Sequence, residues 1–151
     1  MARKSFYDSA TYEALLERIE GLNSATEPGW GRMNSAQMLA HCAEVAEVAG
    51  GKQLVGTPWF VRLMGGLIKR MVVSDKPYPR DSRTHPQYVM SGSVDFDEQK
   101  VRLLGILAEL KEAGPEGAEQ ARHELFGQIT AEEAGWVAFK HLDHHLEQFG
   151  V

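Results

Sequence analysis

The sequence predicts an all-α fold: a bundle of four main helices with one additional short helix and a long ordered loop. The apolar residues follow the three-to-four-residue period of an amphipathic helix along nearly the whole chain. Residues typical of helix ends separate these segments, with asparagine or threonine at the starts and glycine at the ends. Almost no segment alternates with the two-residue period of a strand. An antiparallel helical bundle is therefore the expected architecture.

Length and charge limit the classes of protein to consider. We expect a single domain over residues 1–151, since this length supports one core. The formal net charge of −5 argues against partners such as nucleic acid or anionic lipid. The longest apolar stretch, 59–73, contains three basic residues and is too short to span a bilayer, so no membrane partner is expected. The single cysteine, Cys42, fits a reducing cytoplasm.

The first two helices are predicted at about 8–21 and from Asn34 to the glycines at 50–51. Asn34 and Gln37 have the spacing of a capping box, which fixes the start of the second helix. On this helix His41 falls at the edge of the apolar stripe, with Gln37 one turn before it. Glu44 and its neighbour Glu47 fall opposite the stripe.

A shorter third helix is predicted at 58–73, where Gly65 either weakens the helix or lets another element approach closely. Residues 74–94 contain three prolines and no helical period, which is typical of an ordered functional loop. Arg80 and His85, together with Arg83, could receive an anionic substrate if this loop covers a site. Simple solvation of these side chains is the alternative.

The last two main helices are predicted from near Asp95 to a stop at 114–115, and at 130–150. The buried stripe of the former is expected to be Val101, Leu104, Leu107 and Leu110, with Leu103 and Ile106 widening it. Thr130 and Glu133 form a second possible capping box. On the final helix, Lys140 is expected to face water beside two acidic residues, Asp143 and Glu147, while Phe139, Leu142, Leu146 and Phe149 face the core.

Three of the six histidines lie within five residues of this final helix. His141 and His145 are four residues apart, so both rings leave the same side of the helix and could share one metal ion. His41 is a third candidate ligand on another helix, and His144 lies nearer the charged side as a surface residue or a base. Gln37 and Gln148 could orient a bound water or substrate, or make plain hydrogen bonds. Ordinary hydrogen bonding of the histidines remains the alternative to a metal site.

Three blocks of sequence carry a resemblance to a known family. They are W-G-R-M-N-S-A-Q-M-L-A-H at 30–41, H-E-L-F-G-Q-I-T at 123–130, and K-H-L-D-H-H-L-E-Q-F-G-V at 140–151. The chain resembles the DinB/YfiT-like superfamily of four-helix-bundle metalloproteins, and is most similar to a bacterial branch of unknown function. The resemblance implies that His41, His141 and His145 bind one divalent metal: zinc, nickel, iron or manganese. Glu124 departs from the proline that often follows the histidine of the second block.

The resemblance also implies an expected activity. Relatives include thiol-dependent transferases and isomerases, in which the metal activates the sulfur of a low-molecular-weight thiol. We therefore expect a divalent-metal protein that activates a thiol or water nucleophile on a small substrate. The alternative is a non-catalytic bundle, acting as a binding or stress-response module with core histidines or a structural metal. A homodimer is also expected, because the apolar content of 59–73 permits one and superfamily members often form them.

Overall fold

The computed structural model describes residues 3–151 and, over that range, contains helices and no strands. The prediction of an all-α helical bundle is thus confirmed. The helices are α1 (Ser9–Glu20), α2 (Ser35–Ala49), α3 (Trp59–Leu63), α4 (Gly65–Val72), α5 (Phe96–Gln120) and α6 (Ala131–Gln148). A single 3₁₀ turn, Pro86–Tyr88, interrupts the long loop between α4 and α5.

Helix α2 lies at the centre of the bundle, against both α5 and α6. Eleven of its fifteen residues are buried, so it does not have the exposed polar face that a stripe pattern suggests. Glu44, which falls opposite the predicted stripe, is buried too. The thiol of Cys42 lies in the core, where burial raises its pKa and leaves it unreactive. The two histidine-bearing helices therefore face each other across the middle of the fold.

Both predicted capping boxes are present, and they fix the starts of α2 and α6. The backbone N–H of Gln37 donates to Oδ1 of the Asn34 side chain over 2.8 Å. The backbone N–H of Asn34 donates in return to Oε1 of the Gln37 side chain over 3.1 Å. The Thr130 pair repeats the arrangement at 3.2 and 3.0 Å. Each cap stabilises its helix by about 1 kcal/mol. These contacts set where every later side chain on the two helices points.

The predicted third helix is divided into α3 and α4 at Met64. A Cβ on Gly65 would collide with the backbone carbonyl of Leu125, so glycine lets the segment before α6 approach this helix closely.

Helix α5 is longer than the sequence predicts. It does not stop at 114–115 but kinks there, because Gly114 adopts a positive φ of 69° and Pro115 then opens a further helical stretch.

The expected buried stripe of α5 is wrong at its first position. Val101 is 71% exposed, and the buried residues are Gln99, Leu103 and Leu107. The stripe is rotated because α5 packs chiefly on α2, whose surface accepts Leu103 and Leu107. Leu104 and Leu110 are only half-buried at the edge of this contact.

The expectation that Lys140 faces water is also wrong. Lys140 is 6% exposed, and its Nζ donates to the carbonyls of Val72 (3.1 Å) and Ser74 (2.8 Å) at the end of α4. The ammonium also lies 4.0 Å from the centre of the Tyr78 ring. The loop after α4 folds over this side of α6 and covers Lys140. The helical period predicts an exposed ammonium, but the Lys140 ammonium instead contacts the negative C-terminal end of α4.

An exposed apolar row runs along α3 and α4. Trp59, Leu63, Leu67 and Met71 recur every four residues and are 60 to 78% exposed. Such a row is unusual on a surface that meets only water. Rows with four-residue spacing pack well against a second helix of the same kind, so the expected homodimer has a defined candidate surface here. Among residues 3–151, no helix combines the length and apolar character needed to cross a membrane.

We predict that the wild-type chain sediments as a dimer of twice 16.8 kDa, and that Leu63→Glu combined with Leu67→Glu shifts it to a monomer. The physical reason is that two carboxylates would be buried without partners at the contact. Val101→Glu on α5 is the matched control, since that side chain is equally exposed but lies on another helix. Sedimentation velocity distinguishes the species, and a monomeric wild type would contradict the prediction.

Candidate metal centre

Three histidines from two helices converge in the bundle. His41 comes from α2, and His141 and His145 come from α6. Their ligand atoms all lie within 4.8 Å of one another. Nε2 of His41 is 3.1 Å from Nε2 of His141, and the three ring centroids are 4.8 to 5.1 Å apart. His41 and His145 are buried, while His141 keeps partial contact with solvent.

The proton on His41 is fixed by the long loop. Its Nδ1 lies 2.8 Å from the backbone carbonyl oxygen of Tyr88. A carbonyl oxygen only accepts hydrogen bonds, so Nδ1 must carry the proton and donate it. Nε2 of His41 therefore holds the lone pair, directed toward the other two histidines.

A relay of two hydrogen bonds fixes the proton on His145 in the same way. The amide nitrogen of Gln148 donates to the Trp30 carbonyl over 2.7 Å, which sets the orientation of the amide group. Oε1 of Gln148 then faces Nδ1 of His145 at 2.8 Å, so that nitrogen donates. Nε2 of His145 is left with its lone pair free.

His141 completes the cluster in a different state. Because Nε2 of His41 carries no proton, the 3.1 Å contact requires Nε2–H of His141 to donate. To offer a lone pair from this nitrogen, the His141 ring must move its proton to Nδ1. That nitrogen makes no hydrogen bond with the described residues, so no protein contact opposes the move.

Burial keeps all three rings uncharged. Desolvation lowers the pKa of His41, and it lowers the pKa of His145 to about 3, helped by the nearby His41. The pKa of His141 falls well below its usual value, again through burial and then through its histidine neighbours. At pH 7 the cluster therefore presents neutral imidazoles, which is the form that binds metals.

The chemistry of this donor set fits a divalent cation. Two nitrogens bound to one ion at about 2.1 Å each lie at most about 4.2 Å apart, so the cluster needs only a small closing motion. Neutral imidazoles suit zinc, nickel and iron(II). Each buried ring has its remote nitrogen held by an oxygen, as metal-binding histidines generally do.

Comparison with known proteins identifies the family of the chain. A family model described as the DinB superfamily matches residues 8–149. The chain belongs to the DinB superfamily. No match was found among curated proteins or among solved structures. The superfamily assignment made from the three sequence blocks is thereby confirmed.

In this DinB-superfamily chain, two of the expected accessory residues have structural partners near the cluster. Gln148 orients His145, as described above. Gln37 completes the cap of α2 and donates from Nε2 to the Gly92 carbonyl over 2.9 Å, so it ties α2 to the end of the long loop. Both amides are engaged in hydrogen bonds to the protein itself.

His144 lies beside the cluster rather than in it. Its ring meets the edges of Trp30 and Tyr78, each at 5.8 Å between centroids, and burial lowers its pKa. The Arg80 guanidinium lies over the Trp30 ring, 4.3 Å from its centre. The long loop therefore does reach the histidines, and it brings one exposed cation close to them.

His85 is placed away from the three converging rings. Its Nε2 contacts the Thr57 hydroxyl at 2.8 Å, and its Nδ1 accepts from the Gln87 N–H at 3.1 Å. It therefore caps the 3₁₀ turn. Arg83 is exposed at the tip of the same loop.

The turn before α6 explains the second sequence block. Nδ1 of His123 accepts the N–H groups of Leu125 and Phe126, and its ring stacks on Phe126 with 4.1 Å between centroids. Glu124, which stands where relatives often have proline, accepts the Leu54 N–H over 2.6 Å. A proline side chain could not accept this hydrogen bond. Glu124 therefore links the turn before α6 to the segment after α2 in a way that proline could not.

Several residues that shape the centre were not singled out from the sequence. The Tyr88 carbonyl and the Trp30 carbonyl are backbone atoms, which a search for reactive side chains does not find. Gly31 has a φ of 83°, and a Cβ there would lie 2.6 Å from Nε2 of Gln148. The W-G pair of the first block is the only sequence signal for this role.

Cavities of about 530 and 230 Å³ lie away from the three histidines, the first lined by Glu119 and Arg122 and the second by Ile106 and Leu110.

Gly31→Ala should weaken metal binding by about tenfold, because the new methyl group displaces Gln148 and frees the His145 ring. The positive φ adds a stability cost of about 1 kcal/mol. Gly92→Ala is the matched control, since its φ is 81° but its Cβ would meet nothing within 4 Å. Competition for zinc against a chromophoric chelator measures the affinity, and equal affinities for the two variants would refute the role of Gly31.

Zinc binding at pH 6.5 should release few protons. Three histidines with unperturbed pKa values would be half protonated there and would release about 1.5 protons. Since burial lowers the pKa of all three, they are already neutral at pH 6.5, and affinity should fall only at lower pH. Calorimetry in two buffers of different ionisation enthalpy gives the number released. A value above one would contradict the neutral cluster.

Proposed function

We propose that this chain binds one divalent cation through His41, His141 and His145 and acts as a metal-dependent enzyme. The reaction would activate a thiol or water nucleophile against a small electrophilic substrate. The observation that carries the proposal is that Nδ1 of His41 and Nδ1 of His145 each donate to an oxygen, which makes Nε2 of both rings an acceptor in a cluster whose ligand atoms lie within 4.8 Å of one another. Two buried rings aligned in this way suit a ligand rather than each other, because both nitrogens are acceptors.

The number of ligands supports a catalytic site. Among the described residues, the metal-binding group contains three histidines and no carboxylate or thiolate. Catalytic sites typically have three protein ligands with one position open, whereas structural zinc sites are closed by four. A bound cation would supply Lewis acidity, lowering the pKa of a thiol or water at the open position.

The chain's own residues would position the substrate. His141 is the partly exposed member of the cluster, so the open position would face its side of α6. The Arg80 guanidinium lies 4.3 Å from the centre of the Trp30 ring, which contacts His144, and would attract a carboxylate or phosphate of the substrate. His144 would stay neutral at pH 7, since burial lowers its pKa, and could accept a proton there.

A non-catalytic module with a structural metal is the second candidate, and one observation favours it. The Tyr88 carbonyl of the long loop lies 2.8 Å from His41 Nδ1, so the loop covers that side of the cluster. A covered site leaves little room for a substrate. The two candidates share the metal and differ in whether a small molecule can reach it.

Protein purified without chelator should contain nearly one divalent metal per chain, and alanine at His41, His141 or His145 should remove most of it. Each substitution removes one of three ligands, and His145→Ala also leaves Gln148 without its partner. His144→Ala is the matched control on the same helix and should keep its metal. Elemental analysis gives the content. Full metal in the His141→Ala variant would contradict the proposed ligand set.

Turnover is tested on the same proteins. Metal-loaded wild type should consume a low-molecular-weight thiol in the presence of a small electrophile, or hydrolyse an activated ester, while His141→Ala should do neither. Loss of free thiol and release of the ester's leaving group are the readouts. Metal-loaded protein that consumes neither substrate would favour the non-catalytic module.

A further inference from the structure

The 3₁₀ turn that supplies the carbonyl for His41 is itself held by one side chain. Gln87, the middle residue of the turn, accepts the Val55 N–H through Oε1 over 2.6 Å. Its Nε2 donates to Glu44 Oε1 over 2.8 Å and to the Gln53 carbonyl over 3.2 Å. The amide therefore uses both its oxygen and its nitrogen to join the turn to two other parts of the chain.

Glu44 is a fixed anchor for this contact. It is 8% exposed, and its carboxylate also meets Arg102 from α5 at 2.7 Å and Lys52 at 2.7 Å. Burial by itself would raise the pKa of Glu44, but hydrogen bonds from Lys52, Gln87 and Arg102 together lower it, so the group is ionised. An ionised carboxylate held by two cations does not move to follow the loop.

Glu44 and His41 are three residues apart on α2, nearly one helical turn, and so lie on the same side of that helix. The neighbouring residues Gln87 and Tyr88 meet them in the reverse order along the chain: the Gln87 amide on Glu44, and the Tyr88 carbonyl on His41. The four residues form a closed ring between helix and loop. The distance from the Tyr88 oxygen to His41 Nδ1 thus depends on the Gln87 contact.

We propose that Gln87 is a positioning residue for the histidine cluster: by bridging Glu44 and Val55 it holds the Tyr88 carbonyl against His41. This contact keeps the proton on Nδ1 and the lone pair on Nε2. The statement about metal affinity rests on the proposed function, whereas the statement about the proton on His41 does not. Gln87 touches neither the three imidazole nitrogens nor the open side at His141.

The role differs from general support of the fold. Gln87 is half-buried and is not part of the hydrophobic core cluster. The long loop keeps other anchors without it, among them Lys140 on Ser74, Gln37 on Gly92 and His85 on Thr57. Arg102 and Lys52 keep Glu47 as a partner. Removing the Gln87 amide should therefore leave the bundle folded and release mainly the turn.

The test compares wild type with Gln87→Met, which keeps the length of the side chain and removes both hydrogen-bonding groups. Gln53→Met is the matched control, because the Gln53 side chain is exposed and makes no hydrogen bond with the described residues. Metal-free protein labelled with ¹⁵N is measured at pH 7 by two-bond proton–nitrogen correlation, which reports which ring nitrogen of His41 carries the proton. Zinc affinity is measured by chelator competition, and thermal unfolding checks the fold.

In wild type and Gln53→Met, His41 should show a single form protonated at Nδ1. In Gln87→Met the two forms should exchange, and zinc affinity should fall about tenfold while the unfolding temperature stays within a few degrees. A Gln87→Met variant that retains the wild-type His41 signal would overturn the proposal. If wild type binds no zinc, the proposed function fails, and the His41 signal alone decides the role of Gln87.

Discussion

The central constraint in this fold is the burial of uncharged imidazoles, each of whose two nitrogens needs a defined partner. Burying a polar nitrogen without one costs several kcal/mol by order of magnitude. For His41 and His145, one nitrogen is satisfied by an oxygen that can only accept, which forces the other to present a lone pair. Nε2 of His41 then accepts from His141, and a cation bound by all three rings would take the place of that hydrogen bond and also use Nε2 of His145. The protonation of the two buried rings therefore supports the metal hypothesis beside the number of histidines.

Much of the remaining structure serves to hold those two oxygens. The Trp30 carbonyl orients Gln148 from the loop before α2, and Gly31 is the residue that lets this loop approach α6. On the other side, the Tyr88 carbonyl is brought to His41 by a loop that is fastened along its length, to Lys140 near its start and to Gln37 near its end. The long segment between α4 and α5 is therefore ordered and lines one side of the histidine cluster. Its order explains why a chain of this size carries a loop of 23 residues between Val72 and Phe96.

Helical periodicity predicted the parts of this arrangement that depend on a single helix. It placed His141 and His145 on one flank of α6 and found both capping boxes, since spacing along one helix decides these features. It misplaced Lys140, Val101 and Glu44, because whether a helix face is exposed depends on what packs against it. The convergence of His41 with the α6 pair came from the family resemblance, as the wheel of α2 alone put His41 only at an edge. The roles of Gln87 and of the two backbone carbonyls could not be predicted from the sequence. They depend on contacts between distant segments, which the residue types at these positions do not indicate.

The enzyme and the closed module make the same demand on the histidines and differ in access to them. The partial exposure of His141 and the nearby Arg80 favour access, whereas the loop over His41 restricts it to that one side. Both interpretations stand on one claim, that three imidazoles share one ion. X-ray absorption at the zinc edge of stoichiometrically loaded protein tests that claim most directly. The account predicts three imidazole nitrogens at about 2.0 Å with at least one further light atom from water. A spectrum with one imidazole or none, or with a sulfur at about 2.3 Å, would contradict it.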